Sequence, residues 1–357
     1  MKRRWTLWIA YALLAAALAA LPFLVEQNLG RTWVRTLDFA LLYIMLALGL
    51  NIVVGYAGLL DLGYIAFYAV GAYAYALLAS PHFGIHGPFW ALLPLGAMLA
   101  ALFGALLGAP TLRLRGDYLA IVTLGFGEIV RIFLNNLNAP VNITNGPQGV
   151  NLVDPIRLGN WSWGRSQSWL GVEFSSAQLY YYVFLALALL IILASLRLEN
   201  SRIGRAWEAI REDEVAAAAM GINTRNIKLL AFAMGASFGG VSGGLFASFQ
   251  GFVSPESFGL MESITVLCMV VLGGMGHIPG VILGALLLTL MPEVLRHTIV
   301  PLQKTLFGQV VVDAEAARML LFGLALIWAM QWRPAGLWPS PTRRRELARR
   351  QQPEAGP

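Results

Sequence analysis

Charged residues are scarce in this chain of 357 amino acids, because Asp, Glu, Lys and Arg together make up only 12% of it. Apolar residues make up 58%, and they occur in long blocks. A soluble domain cannot bury such blocks, whereas the hydrocarbon core of a bilayer, about 30 Å thick, needs roughly 20 apolar residues in each crossing helix. The composition therefore excludes a soluble globular domain and predicts an all-α, polytopic membrane protein embedded in a lipid bilayer.

Cysteine and histidine are also nearly absent, with one Cys and four His in the chain. The single Cys268 has no second thiol for an intrachain disulfide. The histidines do not show the paired spacing of metal ligands, and none has the companions that nucleophilic catalysis needs. We therefore expect no metal site, no catalytic residue and no enzymatic activity.

The chain also lacks a nucleotide-binding loop of the form Gly-x-x-x-x-Gly-Lys-Ser/Thr. If ATP drives this protein, its hydrolysis must take place on another chain, and we expect this chain to bind no cofactor. The net charge of +6 does not indicate nucleic acid, because the basic residues cluster in loops and at the termini. This distribution is typical of membrane proteins, whose cytoplasmic segments are rich in Lys and Arg.

What the chain does contain is a series of ten apolar segments, each of which we interpret as a membrane crossing. An even number places both the basic N-terminus and the arginine-rich tail in the cytoplasm, as the positive-inside rule favours. The eighth segment is too short to cross alone, so we expect it to extend into residues 258–262 or to form a broken helix. The predicted crossings are residues 5–25, 37–54, 59–79, 88–109, 117–134, 179–196, 229–249, 263–272, 281–295 and 316–332.

We expect one transmembrane domain over residues 1–336 and a basic, disordered cytoplasmic tail over residues 337–357. The first apolar segment is longer than the core of a secretory signal, which is usually about 7–15 residues, so we expect an uncleaved anchor helix. Residues 135–177 form the longest external loop, which is either an interfacial cap or a platform for an external partner. This loop contains three tryptophans, Trp161, Trp163 and Trp169.

One polar segment, residues 197–228, carries most of the mixed charge of the chain. Asn200 or Ser201 can cap a helix at its N-terminus, and Gly221 can end that helix in the left-handed conformation. Apolar residues at helical spacing predict that one face of this helix is buried. They are Ile203, Trp207 and Ile210.

Residues of opposite charge lie three positions apart on this helix and can form surface ion pairs, Arg205 with Glu208 and Arg211 with Glu214. The four alanines at 216–219 favour helix and form a smooth surface that another protein can approach. From these features alone, the helix is either a solvated element on the inner leaflet or a docking element for a soluble partner.

Glu208-Ala209-Ile210, followed by Gly221 and residues 227–230, is similar to the cytoplasmic EAA loop of ABC importer permeases, which docks on the ATPase subunit. Either Glu208 or Glu214 corresponds to the glutamate of that loop. Six further strings, in the order that the family has them, resemble the LivM-type permease subunits of branched-chain amino acid ABC importers. They are residues 55–64, 67–73, 112–131, 250–257, 271–276 and 332–337.

The resemblance implies an ABC-importer permease bundle in a bacterial inner membrane that translocates branched-chain or related apolar amino acids. It also implies a second homologous permease, two cytoplasmic ATPases that hydrolyse ATP, and an external substrate-binding protein. A permease of the same superfamily for urea, amides or another small solute is an alternative, as is a proton-coupled secondary transporter. On this resemblance, the predicted coupling residues are Arg205, Trp207, Glu208, Ala209, Arg211, Glu214, Ala217 and Gly221.

Ionisable residues at membrane depth are costly and usually face protein or water, so they mark candidate positions in a translocation path. A carboxylate in such a path can meet the ammonium group of an amino acid. The alternative is structural, since Glu128 and Arg131 are three residues apart and can form an ion pair that only locks helix packing. The predicted path residues are Asp61, Tyr64, Gly71 and Glu128.

Overall fold

A computed structural model describes residues 2–111, 114, 116–159, 161–169, 172–307, 320, 323, 324, 327, 331, 332 and 336–338. Most of this part of the chain is helical, as the all-α prediction requires. The helices are α1 (Lys2–Leu29), α2 (Arg31–Leu50), α3 (Ile65–Leu78), α4 (Phe89–Thr111), α5 (Asp117–Asn136), α6 (Ser176–Glu199), α7 (Arg202–Glu212), α8 (Glu214–Ala219), α9 (Thr224–Gln250), α10 (Leu260–Gly273) and α11 (Ile278–Phe307).

Short strands, which the sequence did not predict, form antiparallel pairs in the loops: β1 with β2, β3 with β8, β4 with β5 and β6 with β7. Such pairs satisfy backbone N–H and C=O groups that the polar loops would otherwise leave without partners. The strands are β1 (Ala79–Ser80), β2 (Ile85–His86), β3 (Val150–Asn151), β4 (Arg157–Leu158), β5 (Trp161–Ser162), β6 (Gln167–Trp169), β7 (Val172–Phe174) and β8 (Phe252–Val253).

Within the described residues, six helices are long and apolar enough to cross a membrane. Two shorter apolar helical stretches accompany them: Ala15–Leu29, which is the second half of α1, and Ile65–Leu78, which is α3. A multi-pass architecture is therefore confirmed, while the count of ten crossings and the cytoplasmic position of both termini stay predictions. The predicted tenth crossing and the tail lie largely outside the described residues. The six helices are Arg31–Tyr56, Phe89–Thr111, Ser176–Glu199, Thr224–Gln250, Pro255–Gly273 and Ile278–Thr298.

The eighth crossing extends backwards into the predicted residues, because α10 begins at Leu260. A 3₁₀ turn over Pro255–Phe258 precedes it and is separated from it by Gly259, whose backbone is extended. The third predicted crossing, residues 59–79, is wrong at its start, since α3 begins only at Ile65. The Asp61 side chain accepts a hydrogen bond from a backbone N–H two residues later, and the Thr123 side chain accepts one from the backbone of Leu62. Side chains that take backbone N–H groups compete with helical hydrogen bonds, so this stretch stays irregular.

Helix α6 begins with a capping box, in which Ser175 and Gln178 each accept a hydrogen bond from the backbone N–H of the other. The Asn223 side chain caps α9, and Gly251, with φ of 69°, ends that helix in the left-handed region. These caps set the boundaries of two membrane-length helices at places where the sequence changes from apolar to polar.

The centre of the bundle is a close crossing of α3, α4 and α9, which pack through small residues. A Cβ atom on Gly71 would overlap the carbonyl oxygen of Gly240, and a Cβ on Gly240 would lie 2.7 Å from the carbonyl oxygen of Gly96. Helices in a bilayer associate largely through such close backbone approach, because lipid provides no hydrophobic drive between them. The glycines therefore fix the position of α9, whose first residues adjoin the polar segment 197–228.

Candidate functional site

The polar segment 197–228 folds as two helices, α7 and α8, rather than the single predicted helix. Ser201 is the N-cap of α7, accepting hydrogen bonds from two backbone N–H groups at 3.1 Å. The break falls at Asp213, whose side chain accepts hydrogen bonds from the backbone N–H groups of Val215 and Ala216 and so starts α8. A residue that caps the next helix cannot continue the previous one, which explains the correction.

Gly221 ends α8 in the left-handed region, with φ of 86°, as predicted. The N–H of Ile222 donates to the carbonyl of Ala217, and the N–H of Gly221 donates to that of Ala218. This is the Schellman arrangement, which satisfies the last carbonyl groups of a short helix. Together, α7 and α8 form a compact unit that we name the α7–α8 element.

The apolar stripe of α7 packs on the membrane domain, as the sequence predicts. Trp207 is fully buried and Ile210 is nearly so. The indole N–H of Trp207 donates to the carbonyl oxygen of Ile227 on α9 at 2.7 Å. The buried ring therefore contributes both apolar contact and a satisfied hydrogen bond, which anchors α7 to the start of α9.

Arg211 connects the α7–α8 element to the glycine-rich end of the α2 region, where a short π-helix over Asn51–Tyr56 continues α2 and leads into the turn at Gly58. Its Nη1 atom donates to the carbonyl oxygen of Gly55 at 2.5 Å. A Cβ atom on Gly58 would lie 2.8 Å from the Arg211 side chain, so this turn leaves room for the arginine only as glycine. The glycine-rich turn before α11 is tied to the same π-helix, because the backbone N–H of Gly276 donates to Oδ1 of Asn51 at 2.8 Å. One guanidinium thus contacts the point where α2 meets the turn before α11.

Glu214, at the start of α8, forms an ion pair with Lys228 on α9, with Oε1 and Nζ 2.6 Å apart. The predicted pair of Arg211 with Glu214 is therefore wrong, and Arg205 donates to the carbonyl oxygen of Asn200 rather than to Glu208. Lys228 is buried, and a buried ammonium group needs a carboxylate partner. The tertiary contact thus takes precedence over the helical spacing that suggested the surface pairs.

The remaining predicted coupling residues divide by exposure. Glu208 and Gly221 are exposed and Ala209 is half-buried, whereas Ala217 is buried against the membrane domain. Met220 is 83% exposed. The surface of α8 that faces away from the membrane domain is apolar and consists of Val215, Ala216, Ala218, Ala219 and Met220.

Three of the four predicted path residues lie inside helix packing. Asp61 is fully buried, and its Oδ1 accepts the backbone N–H of Gly63 at 2.9 Å. Tyr64 is fully buried, and its hydroxyl donates to the carbonyl of Gly235 on α9 at 2.9 Å. Gly71 forms the α3–α9 crossing. These contacts show a packing role, and a place in a translocation path stays a prediction for all three.

Glu128 differs from them, because it lines a pocket of about 110 Å³ between α5, α3 and the start of α10. Its carboxylate forms the predicted ion pair with Arg131, at 2.5 Å from Nη2. Arg131 also contacts Glu256, which follows β8, at 3.2 Å. The predicted pair is confirmed, and the structure adds a second carboxylate to it.

Sequence reasoning missed Gly55, Lys228 and Glu256 as partners of predicted residues. Lys228 had a usable signal, since a lysine at the start of an apolar helix requires a carboxylate nearby. The other two contacts join residues 156 and 125 positions apart, which no local pattern shows.

Helices of membrane length, with a polar two-helix element tied to one end, define a multi-pass membrane protein. Residues 32–330 match the permease component of branched-chain amino acid transport systems, and the chain belongs to this family. The resemblance seen in the sequence is therefore confirmed.

Permease proteins named LivM and permease proteins named LivH are both similar to this chain. The LivM permease protein of the high-affinity branched-chain amino acid transport system of Escherichia coli K12 is 44% identical over 340 residues, which are 92% of this chain and 74% of the relative. The LivH permease protein of Salmonella typhimurium is 29% identical over 252 residues, or 69% and 79% of the two chains. The probable LivM permease of Methanocaldococcus jannaschii is 26% identical over 333 residues, or 84% and 90%. No solved structure matches the chain.

Proposed function

We propose that the chain is a permease subunit of an ATP-driven importer for branched-chain amino acids in a bacterial inner membrane. The family match over residues 32–330 and the branched-chain amino acid transport system to which the LivM and LivH relatives belong support the substrate class. On this proposal the chain crosses the membrane ten times, with both termini and the α7–α8 element in the cytoplasm. It hydrolyses no ATP itself.

The proposed assembly contains a second, homologous permease, two cytoplasmic ATPases and an external substrate-binding protein. Similarity to LivM and to LivH supports a pair of permeases. The apolar surface of α8 supports an ATPase contact, since an exposed apolar patch rimmed by charge is typical of a protein interface. The loop over residues 135–177 is the proposed contact for the binding protein.

In the proposed mechanism, closure of the ATPases pushes on the exposed surface of α8. The α7–α8 element moves as one unit, because its caps and the buried Trp207 hold it together. Arg211 transmits this motion to the glycine turns at 55–58 and 273–276, and Lys228 transmits it to α9. Helices α3 and α4, which α9 crosses, then move between outward-facing and inward-facing states. Such coupling needs a rigid element with two stable positions.

The test of this function is transport by the purified assembly in proteoliposomes. Chain, second permease, ATPases and binding protein together should import labelled leucine when ATP is supplied on the ATPase side, and no uptake is expected without ATP. Leucine should also stimulate ATP hydrolysis more than urea does. Leucine uptake by the chain alone under a pH gradient, with no ATP, would contradict the proposal and favour a proton-coupled carrier.

A charge on the exposed surface of α8 tests the ATPase contact. Ala218→Glu should abolish co-purification of the ATPases and ATP-driven uptake, because a carboxylate in an apolar contact loses its hydration without gaining a partner. Ser166→Glu, which places the same charge on the loop between β5 and β6, is the matched control and should retain co-purification of the ATPases. Normal ATPase binding by the Ala218→Glu protein would exclude α8 as the contact.

A further inference from the structure

The pocket beside Glu128 has walls that are almost wholly apolar. It is lined by Leu62, Ile65, Leu124, Gly127, Glu128, Phe258 and Leu260, and it measures about 110 Å³. An apolar cavity of about 150 Å³ holds a molecule the size of benzene, so this pocket suits a smaller aliphatic group. The Phe258 ring, which packs on Tyr68 and Tyr73, forms a rigid wall.

The pocket is held open by backbone packing rather than by chance side-chain positions. Gly127 of α5 lies directly against Gly63, since a Cβ atom on Gly127 would be 3.2 Å from the Gly63 Cα. The Leu62 backbone is held from both sides: its N–H donates to Thr123 at 3.0 Å, and its carbonyl accepts from Ser263 at 2.5 Å. The wall contributed by Leu62 is therefore fixed to both α5 and α10.

The charge at the edge of the pocket is unbalanced. Arg131 contacts the carboxylates of both Glu128 and Glu256, so one guanidinium meets two carboxylates and the cluster carries one surplus negative charge. Such a cluster favours a cation at its open side. The Glu256 side chain is 66% exposed in this chain, which leaves one of the two carboxylates accessible.

On the proposed topology, in which α5 crosses the membrane, the surface that carries this cluster does not face lipid. Glu128 and Arg131 lie in the second half of the 20-residue helix α5, and charged side chains at membrane depth face protein or a water-filled cavity. Their partial exposure in the single chain therefore marks a surface that borders water or the second permease. Both neighbours are compatible with a pocket that a solute can reach in the proposed assembly.

We propose that this pocket is a substrate subsite, in which the branched aliphatic side chain enters the apolar cavity while the α-ammonium group contacts Glu128 and Glu256. The inference rests on the proposed function and specifies where one subunit recognises the amino acid. The size of the cavity selects for aliphatic side chains, and the surplus negative charge selects for the ammonium group. Arg131 holds the two carboxylates in position.

The size of the pocket is tested by Leu124→Phe, which fills it from α5. In proteoliposomes with the complete assembly and a saturating amount of amino-acid-loaded binding protein, we compare the maximal uptake rates of leucine and valine. One methylene in an apolar pocket changes discrimination by about 10-fold or more. The leucine-to-valine rate ratio should therefore fall about 10-fold in the variant. The control is Ile121→Phe, since Ile121 lies one turn away on α5 and its side chain is 65% exposed. This variant should keep the wild-type leucine-to-valine rate ratio.

The charge of the cluster is tested by Glu256→Gln, which removes the surplus negative charge and leaves the Glu128–Arg131 pair intact. Uptake of leucine and valine should fall by a similar factor, about 10-fold, since both share the ammonium group. Glu256→Asp restores the carboxylate and should recover most of the rate. Full activity of the Glu256→Gln protein would overturn the ammonium contact.

The two proposals fail in different ways. If the wild-type assembly imports no branched-chain amino acid with ATP, the proposed function itself is wrong. If the wild-type assembly is active, and the Leu124→Phe complex assembles in normal amount with an unchanged leucine-to-valine ratio, the subsite is wrong while the function stands.

Discussion

Two polar segments of this protein lie at opposite ends of one helix and are held in different ways. Helix α6, with 24 residues and a length of about 36 Å, separates the loop over residues 135–177 from the α7–α8 element. The loop is attached through its backbone, since β3 pairs with β8 and the N–H of Asp154 donates to the carbonyl of Ala79. The polar contacts that attach the α7–α8 element to the membrane helices come from three side chains, those of Trp207, Arg211 and Glu214.

The difference shows how attachment relates to movement. Backbone pairing distributes the contact over many atoms, so the loop must move with the ends of the helices that it joins. A compact unit attached at three side chains can shift as a body and transmit force at those points. Coupling by a rigid two-state element needs attachment at a few side chains, whereas a stable exposed surface needs attachment through backbone pairing. We therefore expect changes at the attachment points of the α7–α8 element to affect transport, and changes at the backbone attachment of the loop to affect stability.

The largest effect should come from Arg211→Ala. This change removes the guanidinium that joins α7 to Gly55, and a hydrogen bond to a charged group is usually worth about 1.5–3 kcal/mol. Substrate-stimulated ATP hydrolysis and uptake by the assembly should fall about 10- to 100-fold, while membrane insertion is retained.

The matched control is Arg202→Ala, at the exposed first position of α7, which should transport normally. Both variants are compared for uptake at equal amounts of assembled complex. Wild-type uptake by the Arg211→Ala protein would remove the distinction between the two segments, because the element would then transmit force without its link to the glycine turns.

A medium effect is expected from Gly149→Ala in the loop. Gly149 has φ of 69° and ψ of −179°, a conformation that is open essentially to glycine alone, and a Cβ atom there would overlap the carbonyl oxygen of Val253. The free energy of unfolding should fall by about 1–3 kcal/mol, measured as a lower midpoint of thermal unfolding in detergent. Uptake per folded complex should stay at the wild-type level.

Gly159→Ala is the control for this change, since Gly159 also has positive φ, 61°, but has no atom within 4 Å of the added Cβ. Its effect should be smaller than that of Gly149→Ala. Equal destabilisation by both changes would mean that backbone conformation alone, and not attachment of the loop to β8, stabilises this segment.

The smallest effect is expected from His86→Ala. His86 contacts the Asp154 carboxylate at 2.5 Å, but its side chain is 52% exposed, and even a fully charged pair at an exposed site is worth at most about 1 kcal/mol. The midpoint of unfolding should change little, and uptake should not change. A large loss of stability would show that this single contact, rather than the backbone pairing, attaches the loop.

Local patterns predicted the helical elements well where apolar length and caps decide them. The Ser201 cap, the left-handed Gly221 and the buried stripe around Trp207 all follow from residue type and spacing. The same reasoning failed at Asp213, because its side chain caps the next helix. It also failed at residues 59–64, because the side chains of Asp61 and of Thr123 on α5 accept hydrogen bonds from backbone N–H groups there.

The candidate sites could be predicted only in part. Glu128 and Arg131 pair because they are neighbours on one helix, which spacing shows. Glu256 joins them from 125 positions away, and the apolar walls of their pocket come from three separate parts of the chain. Asp61 is buried and accepts a hydrogen bond from the backbone of Gly63, and its place in a translocation path stays a prediction.

By itself, the sequence determined that this protein crosses a membrane repeatedly and carries a helical polar segment with a buried apolar stripe. Those properties depend on the composition and spacing of neighbouring residues, which the linear chain contains in full. Only the tertiary structure decided that Arg211 reaches Gly55 and that Glu256 completes the cluster beside the pocket. Such contacts arise when helices that are distant in the chain cross at their glycines, and the free energy of that packing has no counterpart in any short stretch of sequence.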